Sequence, residues 1–241
     1  MKCVPQKWTW GADSDGSRHP VQICGQPAVW LARLGGDPKR DARLFTFLSP
    51  DERLRCANLK QPDDRERFVL GRGMVRLWLG THLNLPAERV AFDYGPFGKP
   101  RLAAAHRRPE LRFNVSHSGS CVAVAFSPTH EIGIDLEQER PETEWAEIAS
   151  SLFAPDECRT WQRLPPAERS VIFFQAWTKR EAILKALGVG LAQQVAPSDS
   201  RELEICELDL PAGYFGALAW RTDGTAKKPP GLLRAALLNF G

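Results

Sequence analysis

Asp135 and Glu137 lie two apart in Ile132-Gly133-Ile134-Asp135-Leu136-Glu137, a run whose residues predict a β-strand. Side chains at that spacing share one face. Glu181 and Lys185 lie four apart in Trp177-Thr178-Lys179-Arg180-Glu181-Ala182-Ile183-Leu184-Lys185, which predicts a helix, and there they share a face too. Three carboxylates brought close together repel one another, and a hard divalent cation removes the repulsion. Mg²⁺ favours a few carboxylates, several waters and the phosphate oxygens of a substrate. A lysine one turn from a metal-binding glutamate can meet a phosphate as a point charge. The four residues together point to a site for a metal-bound diphosphate.

Each motif alone has a plainer reading. Asp135 and Glu137, alternating with Ile134 and Leu136, fit an exposed strand. Glu181 and Lys185 fit an ordinary helix pair worth roughly a few tenths of a kcal/mol. Against this, Phe174 and Trp177 continue the same helical stripe. A charged pair prolonging an aromatic stripe is poorly explained by solvent exposure.

The elements that must position these residues occur twice. Pro50-Asp51-Glu52 and Pro155-Asp156-Glu157 are separated by 105 residues, and each precedes a short helical stretch. A long amphipathic segment then ends at Leu79-Gly80 in one case and Leu187-Gly188 in the other. A strand-like run precedes each tripeptide, Ala28 to Arg33 and Ile132 to Glu137. An apolar strand closes each half, Cys121 to Phe126 and Tyr214 to Trp220. The expected fold class is therefore α+β, internally duplicated, with two similar halves in a pseudo-two-fold arrangement and the active site in the cleft between them. The break at Pro128-Thr129-His130 divides residues 1–127 from 128–241. Residues 1–26 and Thr222 to Gly231 read as loosely ordered.

With 241 residues, 43% of them hydrophobic and 25% charged, the chain has an ordinary globular composition. A net charge of +3 gives no case for nucleic-acid binding. Charge is uneven, however. Arg33 to Arg76 holds 11 basic against 7 acidic residues, and Glu131 to Arg159 holds 9 acidic against 2 basic. The basic half could meet a phosphorylated ligand or an acidic protein, or be a solvated face. Six cysteines without C-x-x-C spacing favour a reduced, cytoplasmic protein, with Cys121 in the core. Neither a signal peptide nor a membrane-length apolar run is expected. No glycine cluster, Gly71-Arg72-Gly73 included, forms a phosphate loop.

Four segments, in this order, resemble the 4'-phosphopantetheinyl transferases of the Sfp type: Gly98-Lys99-Pro100, Phe113-Asn114-Val115-Ser116-His117-Ser118, Gly133 to Glu137, and Trp177 to Lys185. A looser match covers Arg67 to Arg72. One departure is Arg180, where the family usually has lysine. The resemblance implies the same duplicated architecture and transfer of 4'-phosphopantetheine from coenzyme A to a serine of an apo acyl or peptidyl carrier protein. Adenosine 3',5'-bisphosphate would leave. It implies Mg²⁺ on Asp135, Glu137 and Glu181. Glu181, Lys185 and His117 are then catalytic, with Glu181 taking the serine proton and Lys185 on the leaving phosphate. Ser116 and His117 would contact the phosphates of coenzyme A, Lys99 and Pro100 its nucleotide part, and Arg67 and, less closely matched, Arg55 its 3'-phosphate. Arg76 is a further basic residue of that region. An internal duplication suits a monomer. The carboxylates themselves leave open an Mg²⁺-dependent diphosphate hydrolase, and a non-catalytic carrier-binding protein is a further reading.

Overall fold

The computed structural model describes residues 6–7, 27–96, 98–141, 145–189 and 203–221. The first half contains β1 (Gln6–Lys7), β2 (Ala28–Arg33), α1 (Pro38–Thr46), α2 (Pro50–Asn58) and α3 (Pro62–Leu83). A hairpin of β3 (Phe92–Tyr94) and β4 (Pro100–Leu102) follows, then β5 (Arg112–Ser118) and β6 (Cys121–Ser127). The second half contains β7 (Ile132–Gln138), α4 (Ala146–Leu152), α5 (Pro155–Gln162), α6 (Pro166–Leu187), β8 (Leu203–Glu207) and β9 (Tyr214–Arg221). Within the expected loose lead-in, Gln6 and Lys7 pair in parallel with Trp30 and Leu31, so those two residues are strand. The rest of 1–26, apart from these, and the stretch from Thr222 to Gly231 lie outside the described residues.

The repeated tripeptide is a helix start. In α2 and α5 the proline takes the first turn, where its missing N–H costs nothing. The glutamate then reaches back: Glu52 Oε2 accepts from Ser49 N–H at 3.2 Å, and Glu157 Oε2 from Ala154 N–H at 2.9 Å. The two long helices, α3 and α6, each have 22 residues and end on a left-handed residue, Asn84 or Gly188.

The sheets repeat as well. β2, β6 and β5 form an antiparallel run in that order, and β7, β9 and β8 form another. In each run the strand earliest in the chain, β2 or β7, pairs with the half's last strand, and that last strand pairs with the one before it. The chain is thus α+β with its element order and strand order duplicated.

β6 is buried along its whole length and faces two cores. Val122, Val124 and Phe126 pack with α3 residues, and Phe126 lies between Trp30 and Trp78, with ring centroids at 4.7 and 4.3 Å. Cys121, Ala123 and Ala125 turn the other way, onto Ile132, Ile134, Leu136, Leu218 and Trp220 of the second half. One apolar core therefore joins the halves. A third cluster, Trp145, Phe153, Trp161, Phe173 and Phe174, supports the first part of α6. Cys56, Cys121 and Cys158 are free thiols, and Cys121 is a core residue as expected. Among the described residues no helix is long and apolar enough to cross a membrane.

Candidate active site

Gly133 brings the two charged motifs together. A Cβ there would collide with the carbonyl oxygen of Ala182 and the nitrogen of Ala186, so only glycine lets α6 lie directly on β7. This contact sets Glu181 and Lys185 beside Asp135, two residues along the strand. The aromatic stripe behaves as expected: Phe174 and Glu181 are buried, and Trp177 and Lys185 are half-buried.

Asp135 is only 4% exposed. The neighbouring Ile134 and Leu136 are buried too, so β7 is no exposed strand. A buried carboxylate is costly unless it is paired. Asp135 Oδ1 accepts from Lys185 Nζ at 2.6 Å and from Ser116 Oγ at 3.1 Å. Its Oδ2 is buried without a hydrogen-bond partner, and so is Oε1 of Glu181. Glu181 is pushed up to about 7, first by burial and then by the charge of Asp135, against the opposing charges of Lys185 and Arg180. Glu137 is also raised by burial, while a 2.8 Å hydrogen bond from Ser118 Oγ opposes the shift. Arg140 stands 3.5 Å from the same Glu137 oxygen.

Two orphaned carboxylate oxygens on facing elements fit a hard cation that takes few protein ligands and keeps water. Among the described residues no three His, Cys, Asp or Glu side chains form a ready-made metal cage.

β5 lies along the free edge of β7 and pairs with it through side chains. Asn114 Oδ1 accepts from Ile134 N–H at 2.9 Å, Ser116 Oγ from Leu136 N–H at 3.2 Å, and Ser118 Oγ from Gln138 N–H at 3.0 Å. The Ser116 hydroxyl also donates to Asp135 and receives Lys185 Nζ at 3.3 Å. Its one donor and two acceptor positions are then used. The hydroxyl expected on a phosphate is instead held within the protein, because its strand faces β7. The sequence carries a signal of this, a polar residue at every second position, Asn114, Ser116 and Ser118.

His117 points to the other face and is exposed. Its imidazole is held below the ordinary range, first by partial desolvation and then by the charges of Arg67 and Lys185. The turn after it is clasped from both halves. Arg67 donates from Nε and Nη2 to the Gly119 carbonyl at 3.0 and 2.8 Å, and from Nη1 to Asp64 at 2.7 Å. The Ser120 N–H donates to Tyr214 Oη at 2.9 Å. Arg67 thus stands beside His117 as a clamp on its turn.

Lys99 leaves the tip of the β3–β4 hairpin, where Gly98 takes a left-handed φ of 75°, and Pro100 begins β4 opposite Tyr94. Its ammonium donates to the carbonyls of Ile132 at 3.0 Å and Lys185 at 2.5 Å. Burial lowers it to about 8. Arg55 is exposed on α2, its guanidinium 5.5 Å from the Phe68 ring centroid. Arg76 is committed to the core, on Glu52 at 2.5 Å and on the carbonyls of Ala87 and Val90 at 2.9 Å.

Comparison with known proteins identifies the family. Residues 131–228 match the family model described as the 4'-phosphopantetheinyl transferase superfamily, and residues 38–129 that of the 4'-phosphopantetheinyl transferase N-terminal region. The chain is 40% identical over 165 residues to the 4'-phosphopantetheinyl transferase HetI of Nostoc sp., covering 68% of this chain and 70% of that one. It is 34% identical over 178 residues to a putative 4'-phosphopantetheinyl transferase of Synechocystis sp., covering 73% and 71%. The 4'-phosphopantetheinyl transferase Sfp of Bacillus subtilis is 30% identical over 154 residues, covering 64% and 66%.

Proposed function

The chain belongs to the 4'-phosphopantetheinyl transferase superfamily, and from that premise we propose how its buried carboxylates serve the transfer of phosphopantetheine from coenzyme A to a carrier protein. The acceptor is a serine hydroxyl of the apo carrier, and adenosine 3',5'-bisphosphate leaves. The observation that carries the reading is the pair of buried, unpartnered oxygens, Asp135 Oδ2 and Glu181 Oε1, beside the Lys185 ammonium.

Asp135, Glu137 and Glu181 are the residues that would hold Mg²⁺. The chemistry supplied by the bound ion is neutralisation of diphosphate charge as the bond breaks. Lys185 already lies on Asp135 and needs only a small change of partner to meet a phosphate oxygen. Glu181 would take the serine proton, directly or through water. His117, exposed beside Arg67, would donate an imidazole N–H to a phosphate of coenzyme A.

Lys99, Ser116 and Arg67 have most of their polar atoms engaged by protein, so they act by holding the site in shape. Arg55 is assigned to the distant 3'-phosphate, and Pro100 to the wall beside the nucleotide. The duplicated strand order supports a pseudo-two-fold relation with the site in a cleft between the halves. Repeats that face each other within one chain suit a monomer, and we place it in the cytoplasm.

Mass spectrometry of an apo acyl carrier protein incubated with coenzyme A, Mg²⁺ and this chain tests the reading. The carrier gains the phosphopantetheine mass, and loses that gain when a chelator is added. An unchanged carrier, or coenzyme A cleaved equally well without it, overturns the reading.

A further inference from the structure

Two rungs of the seam between β5 and β7 do more than join the halves. The Ser116 hydroxyl touches Asp135 Oδ1 and receives the N–H of Leu136, the next residue. The Ser118 hydroxyl touches Glu137 Oε2 and receives the N–H of Gln138, again the next residue. The same three-atom arrangement is thus built twice, once at each acid of the strand. The Asn114 rung makes the equivalent backbone bond, to Ile134 N–H, but the residue in the acid's place is Gly133, which has no side chain to hold.

We propose that Ser116 and Ser118 are positioning residues that aim the two β7 carboxylates, each hydroxyl fixing one oxygen so that the other points at the metal. The assignment rests on the metal site proposed above. The physical argument is one of degrees of freedom. A hydroxyl has one proton and two acceptor positions. Anchored by a backbone N–H that cannot move without moving the strand, it can donate in only a narrow range of directions. A carboxylate that accepts this proton is fixed about its terminal torsion, which is otherwise broad. For Asp135 the result is visible: Oδ1 is engaged by Ser116 and Lys185, and Oδ2 is left buried and unpartnered. The hydroxyls belong to the first half and the acids to the second. Correct docking of the halves is therefore what orients the ligands, and neither half carries the oriented set alone.

Ser118, at the half-exposed end of the seam, is the variant that keeps the fold. Mn²⁺, added alone to the protein and followed by calorimetry, is the probe, with melting temperature measured in parallel. Ser118→Ala is expected to weaken Mn²⁺ binding roughly 10-fold, a typical consequence of losing a partner of a metal ligand. Ser118→Thr, which keeps the hydroxyl, should restore it. Asn114→Ala should lower the melting temperature yet leave Mn²⁺ affinity within about twofold, since its rung holds no acid. If Asn114→Ala does not fold, the alanine and threonine variants of Ser118 decide the matter between them. Equal Mn²⁺ affinity in Ser118→Ala and the unchanged protein overturns the positioning role while sparing the metal site, and so does a threonine variant as weak as alanine. An unchanged protein that binds no Mn²⁺ sinks the metal reading and this assignment with it.

Discussion

The ammonium of Lys99 donates to the backbone carbonyl of Lys185 at 2.5 Å, tying a hairpin of the first half to the last turn of α6. The same ammonium holds Ile132 at the start of β7. A cation at the carbonyl end of a helix is favoured by the helix dipole as well as by the hydrogen bond. Lys99 therefore fixes the backbone from which Lys185 projects.

This relationship changes what a Lys99 variant should do. Removing a charged donor from two carbonyls costs about 1–3 kcal/mol. Lys99→Met should unfold at lower urea concentration and lose turnover, because the backbone at Lys185 is released. A variant of normal stability with only a raised Michaelis constant for coenzyme A would restore the expectation of a nucleotide contact. Lys99 sits at about 8, below its ordinary 10.5, so the folded state gains stability as pH rises between those values. The neutral amine keeps two N–H donors, enough for both carbonyls, so the clamp survives deprotonation.

Gly133→Ala tests how closely α6 must approach β7. The added methyl meets backbone on two sides, so the helix must move rather than a side chain turn. Such overpacking costs about 1–3 kcal/mol or more. Transfer should fall much further than stability, since Glu181 and Lys185 move away from Asp135. Near-normal transfer by a folded Gly133→Ala protein would show that the helix has freedom to spare.

Much of the site was legible because it depends on local spacing. The strand from Ile132 and the helix through Lys185 follow from periods of two and 3.6, and the tripeptide repeat marked two helix starts. What local spacing does not carry depends on contacts across the chain. Ser116 became a seam residue because β5 lies against β7, a pairing no local pattern encodes. The basic excess from Arg33 to Arg76 also overstated the surface charge. Arg72 and Arg76 share Glu52 in the interior, and Arg40 and Arg67 pair with Asp41 and Asp64. Counting charges cannot tell a solvated arginine from one turned inward.

Glu181 gives a pH dependence in metal-free protein. Its folded value is about 7 against an ordinary 4.5. A raised acid stabilises the fold most below the ordinary value, and that contribution is lost as pH rises through the folded value. In chelator, the melting temperature of the unchanged protein should therefore fall relative to Glu181→Gln between pH 4.5 and about 7, the window those values define, and level off above it. Mg²⁺ should reduce the gap. Parallel curves for the two proteins would mean that the carboxylate is not destabilised by burial.

Asp135→Ala and Glu181→Ala should each abolish transfer, since each removes a buried, unpartnered oxygen proposed to hold the cation. Both proteins should remain folded, and Glu181→Ala, freed of a buried unpaired oxygen, should melt no lower in chelator than the unchanged chain. Carrier mass at saturating Mg²⁺ is the readout. Substantial transfer by either variant would remove that residue from the metal set.

Lys185 has two tasks that one variant can separate. In the proposed reaction it meets the phosphate where charge develops, so Lys185→Ala should lower kcat roughly 10²–10³-fold, the usual loss for a donor acting in the transition state. The Michaelis constant for coenzyme A should change little by comparison. The same ammonium is also the charged partner of Asp135, at 2.6 Å. Without it a buried carboxylate keeps only the Ser116 hydroxyl, and breaking a buried pair from one side is strongly destabilising. In chelator the variant should therefore melt well below the unchanged protein. Mg²⁺ would then replace the lost positive charge and raise its melting temperature more than that of the unchanged chain. A variant equally stable with and without Mg²⁺, or one that loses affinity for coenzyme A and keeps kcat, would mean that Lys185 serves neither the carboxylate nor the leaving phosphate in the way its geometry suggests.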